Sequence, residues 1–383
     1  MKKAVLIVLV PLLISVHGGF LFGERVKHFE AKPITPYSGQ QIMSLKYSRY
    51  SGKVFGSRAK PPEGGDPNSA RGSFIVMDLQ GETSVEKEVT FTEAFWTSRD
   101  CKWPEGSRKV YFLKYVLKGQ TNPVEFRMLY SFDTETGSIE PISPEGFYVV
   151  DYDLSTQSDA MLLQGFANYS PGRSVLKGAG IYLLSYLRSD NLQHFPIPDA
   201  RLLGVAFGRD GDSVRYFSRR GNRTELREFD LARPGYRKTL WKVEKRVYPN
   251  SVEWSPNKYL FMYSYSIGDP WDTDHRKEGL SMSSIKGLPL QVYATSQRIL
   301  EAKWSPSSKY LAFETCMNGS ESARKVIGVY EIETRRLFWI SKDGESLECF
   351  DWISDTDLVC GVRNTSQPEP DSQWAIYRIS IEW

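Results

Sequence analysis

The stretch that decides the fold is Ser251-Val-Glu-Trp-Ser-Pro-Asn-Lys-Tyr-Leu-Phe-Met-Tyr263, because it returns as Leu300-Glu-Ala-Lys-Trp-Ser-Pro-Ser-Ser-Lys-Tyr-Leu-Ala-Phe313. Both copies carry Trp-Ser-Pro, then polar residues, then Tyr-Leu, and Trp254 and Trp304 stand fifty residues apart. A third copy, Cys349-Phe-Asp-Trp-Ile-Ser-Asp-Thr-Asp-Leu-Val-Cys360, places Trp352 forty-eight residues further on. A fourth, Leu203-Gly-Val-Ala-Phe-Gly-Arg-Asp-Gly-Asp-Ser-Val-Arg-Tyr-Phe217, puts Phe207 in the aromatic position. Each copy reads as a strand, a tight turn and a second strand. Pro306, Asp210-Gly211 and Asp355 favour chain reversal, and the flanking residues are β-branched or aromatic.

Working outward, each pair is followed by a polar loop and a third strand, such as Val326–Ile332 or Thr224–Asp230. A fourth follows, such as Arg336–Ile340 or Arg237–Trp241. Four short antiparallel strands per 40 to 50 residues are the pattern of a β-propeller blade. Weaker copies lie upstream, around Phe147–Tyr152, Phe91 and Ile42. Starts near 42, 91, 147, 202, 251, 301 and 348 define seven units, with six or eight left open because the first three are divergent. The last unit shows three strands. Arg25–Ala31 would supply the missing outer strand, closing the ring and covering two sheet edges. The expected fold is therefore all-β: a single propeller of seven four-stranded blades over residues 20–383, closed by an N-terminal strand. Tandem β-sandwiches would not repeat Trp-Ser-Pro at this period. Trp254, Trp304 and Trp352 read as packing between blades.

At Trp254–Phe261 and Trp304–Phe313 the sequence resembles TolB-like propeller repeats, whose consensus reads roughly Trp-Ser-Pro-Asp-Gly-Lys followed by an apolar pair. Here Asn257 and Ser307-Ser308 replace the Asp-Gly turn, while Asp210-Gly211 retains it. The resemblance covers residues 200 to 360. It implies a propeller and export, and it bears on function by analogy alone.

The chain has 383 residues, a formal net charge of +3, 40% hydrophobic and 25% charged residues. That is globular composition, and the charge gives no reason to expect nucleic acid as a partner. Met1-Lys2-Lys3, the apolar run Ala4–Val16 and the small residues Gly18-Gly19 form the three-part pattern of a secretory signal over residues 1–19. An apolar run of this length falls short of a bilayer core, so no transmembrane span is expected beyond it. An uncleaved anchor running on through Phe20–Phe22 is the alternative. The expected location is periplasmic or secreted. Cys101, Cys316, Cys349 and Cys360 are too few for a disulfide scaffold, but Cys349 and Cys360 flank a turn at Ser354–Asp357 and would be able to bridge across it.

Chemistry is poorly supplied. Gly-x-Ser-x-Gly, His-Glu-x-x-His, Cys-x-x-Cys and a phosphate-binding Gly-rich loop are all missing from the sequence. The metal candidates are Asp272, Asp274 and His275, in a segment that lacks the Gly and terminal Glu of a calcium loop and otherwise reads as a solvated loop. No cofactor is expected. Long connections between second and third strands gather on one face of a propeller and hold Arg58, Arg71, Tyr169, Arg173, Trp271, Arg276, Arg324 and Arg363. Such mixed polar and aromatic residues suit contact with a protein or a glycan. Arg219-Arg220 and Arg223 form the sharpest basic cluster. Solvation of a tight hairpin is the favoured reading there, and contact with an acidic partner is the other. The functional expectation is an exported, non-enzymatic propeller, a monomer or part of an envelope complex, that binds a protein or a cell-envelope polymer through one face. The alternative is a metal-assisted carbohydrate lyase or hydrolase with its site in the central channel.

Overall fold

The computed structural model describes residues 24–25, 28–60, 71–89, 101–118, 124–144, 147–155, 160–166, 178–185, 188–197, 201–245, 247–267, 277–287, 290–295, 299–316, 324–341, 344–366 and 373–383. These residues form seven four-stranded antiparallel blades, which follow chain order from the innermost strand outward except in blade seven, whose outer strand comes from the N-terminus. The innermost strands are Gln41–Ser48, Cys101–Lys102, Tyr148–Leu154, Arg201–Phe207, Val247–Trp254, Ile299–Trp304 and Glu345–Trp352. They define blades one to seven, close to the starts read from the sequence. Blade two departs most, because its innermost strand is only two residues long and begins at Cys101. No helix occurs among the described residues, so none is long and apolar enough to cross a membrane.

The ring closes through the N-terminus, three residues later than expected. His28–Pro33, not Arg25–Ala31, is the outer strand of blade seven and runs antiparallel to Trp374–Glu382, from His28 opposite Glu382 to Pro33 opposite Tyr377. Two residues earlier the chain already belongs to the next blade: Glu24–Arg25 pairs in parallel with Phe338 and Trp339, adding a fifth strand to blade six. The N-terminal segment thus ties two adjacent outer edges, and after Pro33 it stays on blade seven. Ile34 and Thr35 donate to the Ile376 carbonyl, and Ser38 exchanges two main-chain bonds with Trp374 before blade one begins.

No core is shared by all blades. Burial divides into seven apolar clusters, one between each consecutive pair. Phe55, Phe74 and Phe132 join blades one and two, for example, and Phe217, Trp241 and Phe261 join four and five. The cluster with Ile42, Ile75, Val359 and Trp374 joins blade seven back to blade one. The repeated tryptophans do pack at these boundaries, and they also bond across them. Trp304 Nε1 donates to the Glu253 carbonyl at 3.1 Å, and Trp352 Nε1 donates to the Lys303 carbonyl at 3.1 Å.

The Trp-Ser-Pro turn explains itself locally. In blade five Ser255 exchanges main-chain and hydroxyl bonds with Leu260, and Ser305 does the same with Tyr310 in blade six. The fifth residue of each motif must take positive φ: Gly211 at 75°, Lys258 at 59° and Ser308 at 65°. Glycine takes that conformation freely, whereas a side chain costs on the order of 1–2 kcal/mol. Arg215 Nη1 steadies the strained turn of blade five by donating to the Lys258 carbonyl at 2.9 Å.

Two outcomes check this architecture. Trp352→Phe removes the indole bond to the Lys303 carbonyl and part of a buried ring, and a loss of about 1–3 kcal/mol is expected in urea unfolding. Deleting residues 24–33 leaves two outer edges uncovered, and the truncated chain is expected to self-associate in sedimentation at concentrations where the full chain does not.

Candidate functional site

The two faces of the disc differ. First-to-second-strand connections take four to six residues in every blade and sit on one face, whereas second-to-third-strand connections on the other take ten, five, twelve, two, nine, eight and nine residues in blades one to seven. Four of the expected binding residues lie at the roots of the longer connections. Arg58 is half-buried, and its Nε has no hydrogen-bond acceptor among the described residues. Burial lowers its pKa, against the pull of Glu86. Arg71 is exposed and stands opposite Lys60. Arg324 Nε donates to the Glu345 carbonyl at 2.9 Å. Arg363 differs from expectation: it is buried, its Nε lies 2.8 Å from Glu348 Oε1, and its guanidinium sits over the Trp374 ring. Its role is to hold blade seven together. Tyr169, Arg173, Trp271 and Arg276 lie outside the described residues, as do Asp272, Asp274 and His275.

Strand register reveals a second constellation that the sequence reading passed over. Just before the large apolar residue at or beside the end of each innermost strand (Tyr47, Trp103, Leu154, Phe207, Trp254, Trp304 and Trp352) stand Lys46, Lys102, Asp153, Ala206, Glu253, Lys303 and Asp351, blade by blade. Six of seven are charged, and five of them form ion pairs around the axis. Asp351 faces Lys46 and Lys303, each at 3.5 Å. Asp153 faces Lys102 at 2.7 Å and Lys258 at 3.1 Å. Lys258 belongs to the strained turn of blade five and reaches past the uncharged position of blade four, Ala206. The signal was present in the motif itself, as Glu253-Trp254, Lys303-Trp304 and Asp351-Trp352.

The carboxylates also bind main chain across blade boundaries. Asp151 Oδ2 accepts from Val205 N at 2.8 Å, Asp153 Oδ2 from Phe207 N at 2.9 Å, and Asp351 Oδ2 from Tyr47 N at 2.7 Å. Burial works against ionisation of Asp153, but the Lys102 and Lys258 ammonium groups overcome it and hold the carboxyl well below the usual range. Asp351 is depressed in the same way: burial opposes its charge and Lys46 and Lys303 outweigh it. Asp151 is raised, because burial exceeds what Lys102 and the Val205 amide return.

A second buried cluster lies between blades six and seven. Lys325 Nζ stands 3.1 Å from Glu314 and 3.2 Å from Glu348, and Glu301 is the cross-strand partner of Glu314. Burial pushes Glu314 up to about 7, Lys325 opposes the rise, and Glu301 and Glu348 reinforce it.

A cavity of about 250 Å³ opens off the channel where blade four presents only Gly204 and Val205, with Lys102, Asp151, Asp153 and Lys258 among its walls. A smaller depression of about 200 Å³ on the short-turn face shares Lys258 and adds Arg209 and Asn257. The charges around the channel face one another and the main chain, an arrangement that clamps blades.

The expected bridge between Cys349 and Cys360 is corrected: all four cysteines are free. Cys349 is the extra residue of a β-bulge between Glu348 and Phe350, with φ at 33°. The bulge turns its side chain toward blade one, over Gly361, while Cys360 packs toward blade six. Burial raises the pKa of both thiols, so they are protonated, inert packing.

No family model matches the chain, and no curated protein matches it. Among solved structures, the β-propeller domain of Cps50 (Swd1) from Myceliophteria thermophila superposes with a TM-score of 0.55 at 9% identity, covering 92% of this chain and 100% of that one. A putative TolB from Agrobacterium tumefaciens gives 0.45 at 12% identity, with 70% and 88% covered, and the tricorn protease gives 0.39 at 14%, with 84% and 28% covered. The first likeness shows the propeller fold. The other two are too weak to carry an argument.

Asp153→Ala strips a buried carboxylate from two ammonium groups and an amide, so a loss of about 3–5 kcal/mol is expected in denaturant unfolding. Glu314 titrates in the opposite sense to a depressed acid. Its folded-state pKa lies above the unfolded value, so its contribution is present below the unfolded pKa and is lost as pH rises toward about 7. Unfolding free energy measured between pH 5 and pH 8 should therefore fall more steeply in the native chain than in Glu314→Gln.

Proposed function

We propose that this chain is an exported, TolB-like propeller that acts by recognition, not catalysis, binding a protein partner or a cell-envelope polymer through the face of the long second-to-third-strand connections. The observation that carries this reading is the inequality of the two faces. One is built from uniformly short, internally bonded turns. The other carries connections of up to twelve residues rooted on a ring stitched at every blade. Loops that vary in length on a rigid support are where recognition residues accumulate. Cations at their roots, Arg58, Arg71 and Arg324, favour an anionic or carbonyl-rich contact.

Export rests on residues 1–19, whose basic start, short apolar run and small residues fit a cleaved bacterial signal. The protein is then periplasmic or secreted, and it works as a monomer or within an envelope complex.

The test compares immobilised full chain with two variants in capture from envelope extract. Arg71→Glu combined with Arg324→Glu is expected to abolish capture, and Arg209→Glu on the short-turn face to leave it intact. Equal loss in both variants would refute the assignment of the face. For export, the chain recovered from the periplasm of a bacterial host should begin near Phe20 by mass spectrometry. An intact Met1 there would refute cleavage.

A further inference from the structure

Blade four is charged unlike the rest of the ring. Residues 201–245 hold twelve Lys and Arg against six Asp and Glu, whereas the remainder of the chain holds thirty-seven against forty. The surplus concentrates at one end of the blade. The hairpin between its second and third strands, Ser213–Arg220 and Arg223–Asp230, is only Gly221-Asn222, with Gly221 at a φ of 59°. Every other blade has five or more residues there, so blade four forms the low point of the loop face. Arg220 and Arg223 are direct cross-strand partners at this point, and the neighbouring acids Glu225 and Glu244 pair with Arg223 of the two. The outer strand, Arg233–Val243, is the longest in the ring and brings Lys242 opposite Glu225, with Lys245 just beyond.

The local acids are already engaged. Glu225 pairs with Arg223 and Arg227, Glu228 with Arg215 and Lys238, and Glu244 with Arg223. Arg220 and Lys242 are exposed and make no ion pair among the described residues. Two features choose between kinds of anion. Among the described residues the large rings at this end, Trp241, Tyr263 and Tyr265, are buried and offer no stacking face to a sugar. Beside the cations runs the open edge of the outer strand, whose main-chain groups pair with another extended backbone. Such pairing already occurs in the ring, where Glu24–Arg25 adds to the outer edge of blade six.

We infer that the blade-four corner of the loop face is a docking site for an extended acidic polypeptide segment, with Arg220 and Lys242 binding its carboxylates and the outer strand Arg233–Val243 pairing with its backbone. This rests on the loop face as the recognition face, but it uses none of the residues that test that reading.

The experiment is fluorescence anisotropy with the full chain and a labelled peptide of alternating Glu and Thr. Binding is expected that weakens as salt rises. The double variant Arg220→Ala, Lys242→Ala should weaken it by about tenfold or more, the loss of roughly 1.4 kcal/mol or beyond. A Gln–Thr peptide, and the acidic peptide with its alternate amides N-methylated, should both fail to bind. The inference is overturned if the acidic peptide does not bind, if the double variant binds it like the native chain, if N-methylation changes nothing, or if an acidic polysaccharide of equal charge binds more tightly. None of these outcomes alters the capture result for Arg71 and Arg324, so the two readings fail separately.

Discussion

Neighbouring innermost strands in this ring do not exchange backbone hydrogen bonds as strands within a sheet do. At four boundaries side chains reach over to main-chain groups: a tryptophan indole to the carbonyl of the blade before, between blades five and six and between six and seven, and an aspartate to the amides of the blade after, between three and four and between seven and one. The remaining structure depends on this constraint. It fixes where each blade starts relative to its neighbour, and so fixes which loops share a face. It also accounts for the charge around the axis. A carboxylate that must accept from the next blade is buried and needs a cation beside it, and the lysines of adjacent blades supply one.

The same constraint explains how blade four departs from its neighbours. Its innermost strand offers Ala206 where the other blades offer charge, and the gap is bridged by Lys258 from the blade after. A lysine in a backbone conformation that glycine prefers looks unfavourable in isolation. In place, its ammonium group completes the coordination of Asp153, and its carbonyl is bonded by Arg215.

Much of the architecture was legible in the sequence, because a strand–turn–strand unit with a fixed aromatic and a fixed serine repeats at a period no other arrangement needs. The seven-blade count and the closing strand followed from that period. What failed to follow is local. The bulge at Cys349 reverses the alternation of faces over one residue, so two cysteines that look opposed across a hairpin pack into different interfaces. The N-terminal clasp lies three residues later than read, because a strand of mixed polarity carries little register information until its partner is known. The axial charges were hidden by attention to the tryptophans they precede. Arg363 read as surface because the Glu348 that neutralises it is distant in sequence and adjacent only across the sheet.

The clasp has a consequence for how the molecule comes into being. Its closing strand precedes blade one in the chain, and its partner, Trp374–Glu382, follows every other strand of the ring. Until Trp374–Glu382 has been made, the apolar side of blade one that will meet blade seven has nothing to cover it, and the growing ring is an open arc with two raw ends. Contacts of such long sequence separation slow the search for the native state and leave the arc exposed to association. Ring completion is thus the committing step, and a chaperone that shields blade one during elongation would act where the nascent chain is most vulnerable.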